Sequence, residues 1–192
     1  MVSVVLICHN YGRYIQECLN SIYLNEQDLI KDIVIVNDSS SDNSSEIIEK
    51  NRISNKKIKH FKTDFQSLSK SYNYGVSKAE TNWISKIDAD DLYVKNFISN
   101  FYNHLIKNKL DFIYGDLLVL NNKSGEKKIK SQKVPDFLKL IKYPVGSGTI
   151  YNKKIWEEVG GFDENLRYQD DYDFWLKVNK LKRKIGYINQ VG

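Results

Sequence analysis

The regular alternation of short apolar runs with helical stripes, over roughly the first hundred residues, constrains this chain most. Val2–Ile7, Ile33–Val36 and Trp83–Ile87 are short and largely apolar, as expected of strands inside a sheet. Between the first two runs, apolar residues recur on one helical face from Ile15 to Ile22. The alternation predicts an α/β fold, with a mostly parallel central sheet and helices on both faces. The other elements predicted in this half are a strand at Ile58–Phe61, a helix from near Ser44, and helices marked by Leu68–Ala79 and Phe97–Leu105.

The second half of the chain follows a different pattern. Phe112–Leu120 and Lys127–Gln132 flank turn-forming residues, which predicts a β-hairpin. Val134–Ile141, with Pro135 at its start, is predicted to be a short helix. Since no flexible linker separates the patterns, we expect a single domain over residues 1–192, with halves of about 1–110 and 111–192. The remaining predicted elements are two short strands and two helical segments, at Thr149–Tyr151, Ile185–Ile188, Ile155–Val159 and Phe174–Leu181.

Composition excludes several classes of protein. With 41 % apolar and 28 % charged residues, the chain is neither wholly disordered nor fibrous. Its apolar runs are shorter than the ~18–20 residues that span a bilayer, and its start lacks the features of a signal peptide. The two cysteines, Cys8 and Cys18, are too few for a disulfide framework. We predict that they are buried, reduced thiols of a cytoplasmic protein.

The net charge of +5 is mild and argues against nucleic acid as a partner. The basic residues are dispersed, with local runs at Lys123–Lys133 and Lys180–Lys184. A solvated, lysine-rich surface accounts for these runs. The alternative is attraction to an anionic membrane surface, which would place the protein at the inner face of the membrane.

Polar and acidic side chains follow three of the predicted strands. They are His9-Asn10, Asn37-Asp38 and the cluster Asp88–Asp91. The carboxyl ends of parallel strands meet at the same edge of a sheet, and ligands of such folds bind there. The sequence therefore predicts that these three segments converge on one crevice.

Each acidic segment has two interpretations. Three carboxylates within Asp88–Asp91 repel one another unless a cation lies among them, and their oxygens suit Mg²⁺ or Mn²⁺. The alternative is that one of them caps a helix beginning near Tyr93. Asn37–Asp42 fits either a contact with a nucleotide or a turn and helix cap. Asp170 and Asp171 precede an aromatic helical stripe, where carboxylates serve either as helix-capping groups or as a general base.

Several common enzyme motifs are absent from the sequence. It contains neither a G-x-G-x-x-G fingerprint nor a Walker A motif, which excludes Rossmann dehydrogenases and P-loop nucleotidases. The three histidines lack metal-ligand spacing with the cysteines, and no serine lies in a nucleophile elbow.

Five segments, in order, resemble the inverting GT-A glycosyltransferases of family 2. SVVLICHNYGRYIQECLNSI is similar to that family's first strand, nucleotide loop and helix, and IVIVNDSSSDNS to its second strand and acidic loop. SKSYNYGVSKAETNWISKIDADD carries the D-x-D signature, and DFIYGDLLVLNNKSGEK and IWEEVGGFDENLRYQDDYDFWLKV resemble the segments that follow it. The resemblance covers nearly the whole chain. It implies a GT-A fold, with a Rossmann-like sheet and a small antiparallel portion on the acceptor side.

The resemblance also implies roles for individual residues. His9 and Asp38 correspond to positions beside the nucleotide base, and Asp88 to the acid near the ribose and the metal. Asp90 corresponds to the ligand of a Mn²⁺ or Mg²⁺ ion bound to the diphosphate, and Asp171 to the general base. The positions where acceptor contacts are expected are Gly148, Thr149, Asp170 and Trp175.

The implied reaction transfers a sugar from a nucleotide-diphospho-sugar, with a UDP-sugar favoured, to a hydroxyl of a glycan or lipid-linked acceptor. The metal neutralises the leaving diphosphate and the base deprotonates the hydroxyl, so that a single displacement inverts the anomeric carbon. Two alternatives remain at this point. One is a non-catalytic homologue that acts as a binding or scaffold module, and the other is a nucleotidyltransferase.

Three departures from the family pattern lead to further expectations. Ser39 replaces a glycine, so we expect the turn there to avoid positive φ. Tyr72 stands where arginine is frequent. The sequence ends at Gly192, and we expect it to lack the C-terminal extension usual in the family.

Overall fold

The computed structural model describes residues 1–121, 124–131, 133, 148–166 and 169–192. The described strands are β1 (Val2–Cys8), β2 (Ile30–Asp38), β3 (Ile58–Thr63), β4 (Trp83–Asp88), β5 (Phe112–Leu120), β6 (Lys127–Lys130), β7 (Thr149–Asn152) and β8 (Ile185–Val191). The described α-helices are α1 (Ile15–Tyr23), α2 (Ser44–Ser54), α3 (Leu68–Lys78), α4 (Phe97–Asn108), α5 (Lys153–Glu158) and α6 (Asp170–Lys180). The helix predicted at Val134–Ile141 lies outside the described residues.

The strands form a mixed sheet in the order β3-β2-β1-β4-β7-β5-β6, and β8 pairs with β5. Strands β1 to β4 are parallel to one another, with β1 between β2 and β4. The short strand β7 is antiparallel to both β4 and β5, and β5 and β6 form the predicted hairpin. Strand β8 is parallel to β5. The mostly parallel sheet and the smaller antiparallel portion are therefore confirmed.

The helices pack on both faces of the sheet, as predicted. The alternation of side chains along β1 divides the core, because Leu6 packs with residues of α1 and α4 while Val5 packs with residues of α3 and α6. On the first face lie Leu19 and Phe101, and on the second Val76. Two contiguous apolar layers thus hold the carboxyl ends of β1, β2 and β4 in fixed positions.

The helix after the acidic cluster begins at the first residue of the predicted apolar stripe, which excludes the alternative start near Tyr93. Helix α4 begins at Phe97, not near Tyr93, and Asn96 at its N-cap has φ 65° with no side-chain cap hydrogen bond. Tyr93 is instead buried, with its backbone N–H donating to Ser21 Oγ and its hydroxyl paired with Ser85 Oγ. Because these contacts fix the chain before the helix starts, the carboxylates of Asp88–Asp91 do not cap α4.

Cys8 and Cys18 are free thiols and both are buried, as the sequence predicts. Burial raises the pKa of both thiols, so both are protonated at neutral pH. Within the described parts of the chain, no helix has the length and apolar character needed to cross a bilayer.

Candidate active site

The predicted crevice forms at the carboxyl ends of the central parallel strands. At the end of β1, Cys8 pairs with Asn37 of β2, and Ile7 pairs with Asp88 of β4. The residues that follow these three strands therefore emerge side by side. The sheet register brings His9, Asp38 and Asp88 to one edge, as the sequence predicts.

Asp38 and His9 lie together where β1 and β2 end at this edge. His9 Nδ1 lies 2.6 Å from the Asp38 carbonyl oxygen. The Asp38 carboxylate accepts hydrogen bonds from the backbone N–H of Phe65 at 2.7 Å and of Ser67 at 3.1 Å, and from Ser71 Oγ at 3.1 Å. Burial opposes ionisation, but these hydrogen bonds hold the pKa of Asp38 below its usual value. Ionised Asp38 therefore ties the segment between β3 and α3 to the end of β2.

The loops after β1 and β2 are bound to each other. Asn10 Oδ1 accepts a hydrogen bond from the Ser41 N–H at 2.8 Å, and the Gly12 N–H donates to Asp42 Oδ2 at 2.8 Å. Ser39 has φ 55°, so the expectation that its turn avoids positive φ is wrong. Its N–H donates to a carbonyl at the end of β3, and this bond holds the left-handed turn without a glycine.

Asp88 is paired with a tyrosine of the neighbouring helix. The Tyr72 hydroxyl, on α3, donates to Asp88 Oδ1 at 2.5 Å. Burial raises the pKa of Asp88, although the Lys86 ammonium and the Tyr72 hydrogen bond oppose the rise. The position where the family frequently has arginine therefore carries a neutral hydrogen-bond donor here.

A lysine that the site predictions do not include lies at the centre of the crevice. Lys86 is 3 % exposed, and its Nζ lies 2.5 Å from Asp171 Oδ1 on α6. Its ammonium also lies 4.2 Å from the centroid of the Tyr72 ring and 5.9 Å from that of Phe162. Burial lowers the pKa of a lysine, but the negative charges of Asp171 and Asp88 outweigh it and hold the pKa of Lys86 above its usual value. The side chain is therefore a permanent cation.

The sequence analysis assigns no role to Lys86, because the run Trp83–Ile87 that contains it is predicted only as a buried strand. A lysine inside a short strand of the sheet is itself a signal, since lysine is almost never fully buried without a partner. That signal indicates a partner of opposite charge, and the partly exposed Asp171 is that partner.

Helix α6 begins with Asp170 and Asp171, the two acids of the last segment that resembles the family. Asp170 is the first helical residue, and the N-cap is Gln169 with φ 64°, so Asp170 does not cap the helix. Asp170 is 6 % exposed, and burial, assisted by the charge of Asp171, raises its pKa. Three buried polar atoms near this end have no hydrogen-bond partner among the described residues, namely Asp170 Oδ2, Tyr151 Oη and Trp175 Nε1.

The remaining predicted acceptor residues are separated by the fold. Gly148, with φ 72°, and exposed Asp90 line a cavity of about 540 Å³ that the apolar end of β5 also borders. Thr149 is 3 % exposed within β7, and Trp175 is 1 % exposed between the rings of β5. In this structure Thr149 and Trp175 therefore belong to the core beneath the crevice. Residues 146 and 147, directly before Gly148, lie outside the described residues.

The carboxylates fit a divalent cation only when other ligands complete its shell. Asp90 is exposed at the cavity, whereas one Asp88 oxygen already accepts the Tyr72 hydrogen bond. In the described ranges, no group of three or more histidine, cysteine, aspartate or glutamate side chains is arranged to hold a metal. Mg²⁺ and Mn²⁺ commonly take one or two carboxylates, with substrate phosphates and water as the other ligands, and Asp88 and Asp90 fit that pattern.

Comparison with known sequences identifies the family to which this chain belongs. The profile described as Glycosyl transferase family 2 matches residues 3–168, which is most of the chain. The chain therefore belongs to glycosyltransferase family 2. An uncharacterized glycosyltransferase of Rickettsia felis is 30 % identical over 193 residues, covering 94 % of this chain and 32 % of that protein. The chain spans only 28 % to 32 % of the length of three Rickettsia relatives of this kind.

Solved structures establish the fold. S. aureus TarS 1–349 in complex with UDP is 20 % identical and matches with a TM-score of 0.80, over 98 % of this chain and 58 % of that one. Mannosyltransferase PcManGT from Pyrobaculum calidifontis, in complex with GDP-Man and Mn²⁺, is 16 % identical with a TM-score of 0.77, over 99 % and 55 %. The fold is therefore the GT-A fold that the resemblance implies.

Proposed function

We propose that the chain is a glycosyltransferase that moves a sugar from a UDP-sugar to a hydroxyl of a glycan or lipid-linked acceptor, with inversion. One observation carries the proposal. The donor-side carboxylate Asp88 and the acceptor-side carboxylate Asp171 are brought to the same crevice, although they lie on β4 and α6. A single displacement needs a base beside the attacking hydroxyl and charge neutralisation at the leaving diphosphate, and this arrangement places one carboxylate for each task.

In the proposed mechanism Asp171 is the general base. Its carboxylate takes the proton of the acceptor hydroxyl while that oxygen attacks the anomeric carbon. The bond from that carbon to the diphosphate oxygen breaks, and its electron pair leaves with UDP. The Asp171 side chain is 31 % exposed, so an acceptor can reach it despite the contact with Lys86.

The donor is proposed to bind across the ends of β1, β2 and β4. His9 and Asp38 lie where the base is expected, and the UDP complex of TarS supports a uridine nucleotide for a protein of this fold. Asp88 and Asp90 would hold the divalent cation, and the Mn²⁺ in the PcManGT complex supports that assignment. When bound, the cation supplies charge neutralisation for the departing diphosphate.

Fewer observations support the proposed contacts with the acceptor. Gly148 lies on the same cavity as Asp90, and Asp170 lies beside the proposed base, so both remain candidates for acceptor contacts. We further propose that Thr149 and Trp175 support this site from the core. The cytoplasmic location and contact with an anionic membrane through the lysine runs remain predictions from the sequence.

The proposed function is tested by measuring UDP release from a panel of UDP-sugars, with glycan and lipid-linked acceptors and Mn²⁺. We expect Asp171→Asn to lower the rate by about 10²–10⁴-fold, the usual contribution of a general base, and to leave UDP binding unchanged. Asp173→Asn is the matched control, because Asp173 lies on the same helix and pairs with Lys177.

Full activity in Asp171→Asn would contradict the assignment of the base. No UDP release from any donor, by a chain that still binds UDP, would favour the scaffold alternative over the enzyme.

A further inference from the structure

The described residues place one cation, Lys86, among the carboxylates Asp88, Asp170 and Asp171. The ammonium contacts Asp171 directly, and the charges of Asp88 and Asp170 also stabilise it. Its side chain is 4 % exposed, so water contributes little to neutralising it. The carboxylates of Asp88, Asp170 and Asp171 therefore share one buried counter-charge.

A buried ammonium is an expensive way to fill this position. Transfer of an ammonium from water into a protein interior is strongly unfavourable, even after the protein relaxes around it. Well-packed apolar side chains often replace buried ion pairs without loss of stability. The neighbours Ile84 and Ile87 on β4 are fully buried apolar residues, so the strand accommodates such side chains. Stability alone therefore does not account for a lysine here.

The geometry of the contact between Lys86 and Asp171 explains better why a lysine lies here. Lys86 belongs to a central strand and is held over the Tyr72 and Phe162 rings, so its ammonium has little freedom to move. Phe162 is itself fixed, because its N–H donates to Asn73 Oδ1 and its carbonyl accepts from Asn73 Nδ2, both at 2.9 Å. An anchored cation holds Oδ1 of Asp171 at one point while the side chain stays partly exposed.

We propose that Lys86 is a positioning residue that fixes the Asp171 carboxylate at the start of α6 relative to the donor-binding end of β4. The proposal rests on the proposed function, in which Asp171 is the base. It goes beyond that function by assigning the alignment of the base to a cation on the strand that carries the donor-side acids. Loss of the cation would leave Asp171 present but misaligned.

The test compares Lys86→Met with Lys86→Arg, Lys86→Gln and the wild-type chain. We expect Lys86→Met to lower kcat by about 100-fold, the scale of a 1 Å misplacement, while the affinity for UDP stays within about twofold. Lys86→Arg retains the charge and is expected to recover most of the loss. Lys177→Met, on the partly exposed pair with Asp173, is the matched control and should keep wild-type kcat.

Hydrogen exchange gives a readout that does not depend on activity. Lys86→Met should speed exchange in the first turn of α6, and Lys177→Met should not. If Lys86→Met does not fold, Lys86→Gln takes its place as the uncharged variant, with the same expectations.

Two results would overturn the inference while leaving the proposed function intact. One is wild-type kcat and exchange in the uncharged variant. The other is a parallel loss of UDP affinity, which would mean that Lys86 acts on the donor side through Asp88. A wild-type chain that releases no UDP from any UDP-sugar would overturn the proposed function itself, and with it the role given to Lys86.

Discussion

At the scale of single residues, Asp38 shows how one carboxylate organises the part of the crevice at the end of β2. Its hydrogen bonds from Phe65, Ser67, Ser71 and Thr63 join the segment between β3 and α3 to the end of β2. Sequence reasoning placed Asp38 beside a nucleotide base but did not reveal that the chain itself binds the carboxylate. These donors lie 25 to 33 residues away, and no local pattern marks them.

We predict that Asp38→Asn lowers the free energy of unfolding by about 2–3 kcal/mol at neutral pH, since an amide replaces a buried acceptor of several hydrogen bonds. The folded state lowers the pKa of Asp38, so this contribution is complete above the ordinary value of about 3.9. It is lost as pH falls through the lower, folded value. Urea unfolding of the wild-type chain and Asp38→Asn, between about pH 7 and pH 3, should show the difference in their free energies of unfolding becoming smaller as pH falls.

Asp64→Asn is the matched control for this measurement. Asp64 is exposed in the same segment, and its substitution should change stability by less than about 0.5 kcal/mol. A gap between wild type and Asp38→Asn that is independent of pH would contradict the network.

At the scale of elements, close packing of α3 on the sheet holds Tyr72 over the crevice. Gly75 permits this approach, because a Cβ there would lie 2.6 Å from Val5 Cγ1 and 3.3 Å from Val36 Cγ2. We predict that Gly75→Ala destabilises the protein by about 1–2 kcal/mol, although alanine is the better helix former. Thermal unfolding checks this, with Ser77→Ala on the exposed side of α3 as the control.

The expected result depends on the helix being unable to move away from β1. A Gly75→Ala variant that is as stable as wild type, or more stable, would show that α3 shifts freely. The position of Tyr72 against Asp88 would then be adjustable rather than fixed by packing.

The existence of most elements was predictable, and some of their ends were not. Short β-branched runs such as Ile33–Val36 identified strands because they are buried on both faces, yet β2 extends over Ile30–Asp38 through polar residues that the sheet still pairs. The sequence left two starts open for α4, and the contacts of buried Tyr93 with Ser21 and Ser85 exclude the one near Tyr93. Tertiary contacts of this kind leave no mark in a local window of sequence.

At the scale of the whole molecule, the sheet decides which residues meet. The convergence of His9, Asp38 and Asp88 followed from the rule that parallel strands end at one edge. The meeting of Lys86 with Asp171 did not, because it joins residues 85 positions apart across the antiparallel half of the fold. The sequence therefore predicts the grouping of the strand-end residues more completely than the contact between Lys86 and Asp171.

We propose that this edge of the sheet binds a nucleotide diphosphate together with a divalent cation. Titration calorimetry of UDP against the whole chain, with and without Mn²⁺ at neutral pH, measures this binding. We expect binding that requires Mn²⁺, is at least about tenfold weaker in Asp90→Asn and is retained in Asp171→Asn. Equal affinity for UDP with and without Mn²⁺, or no binding of UDP at all, would contradict it.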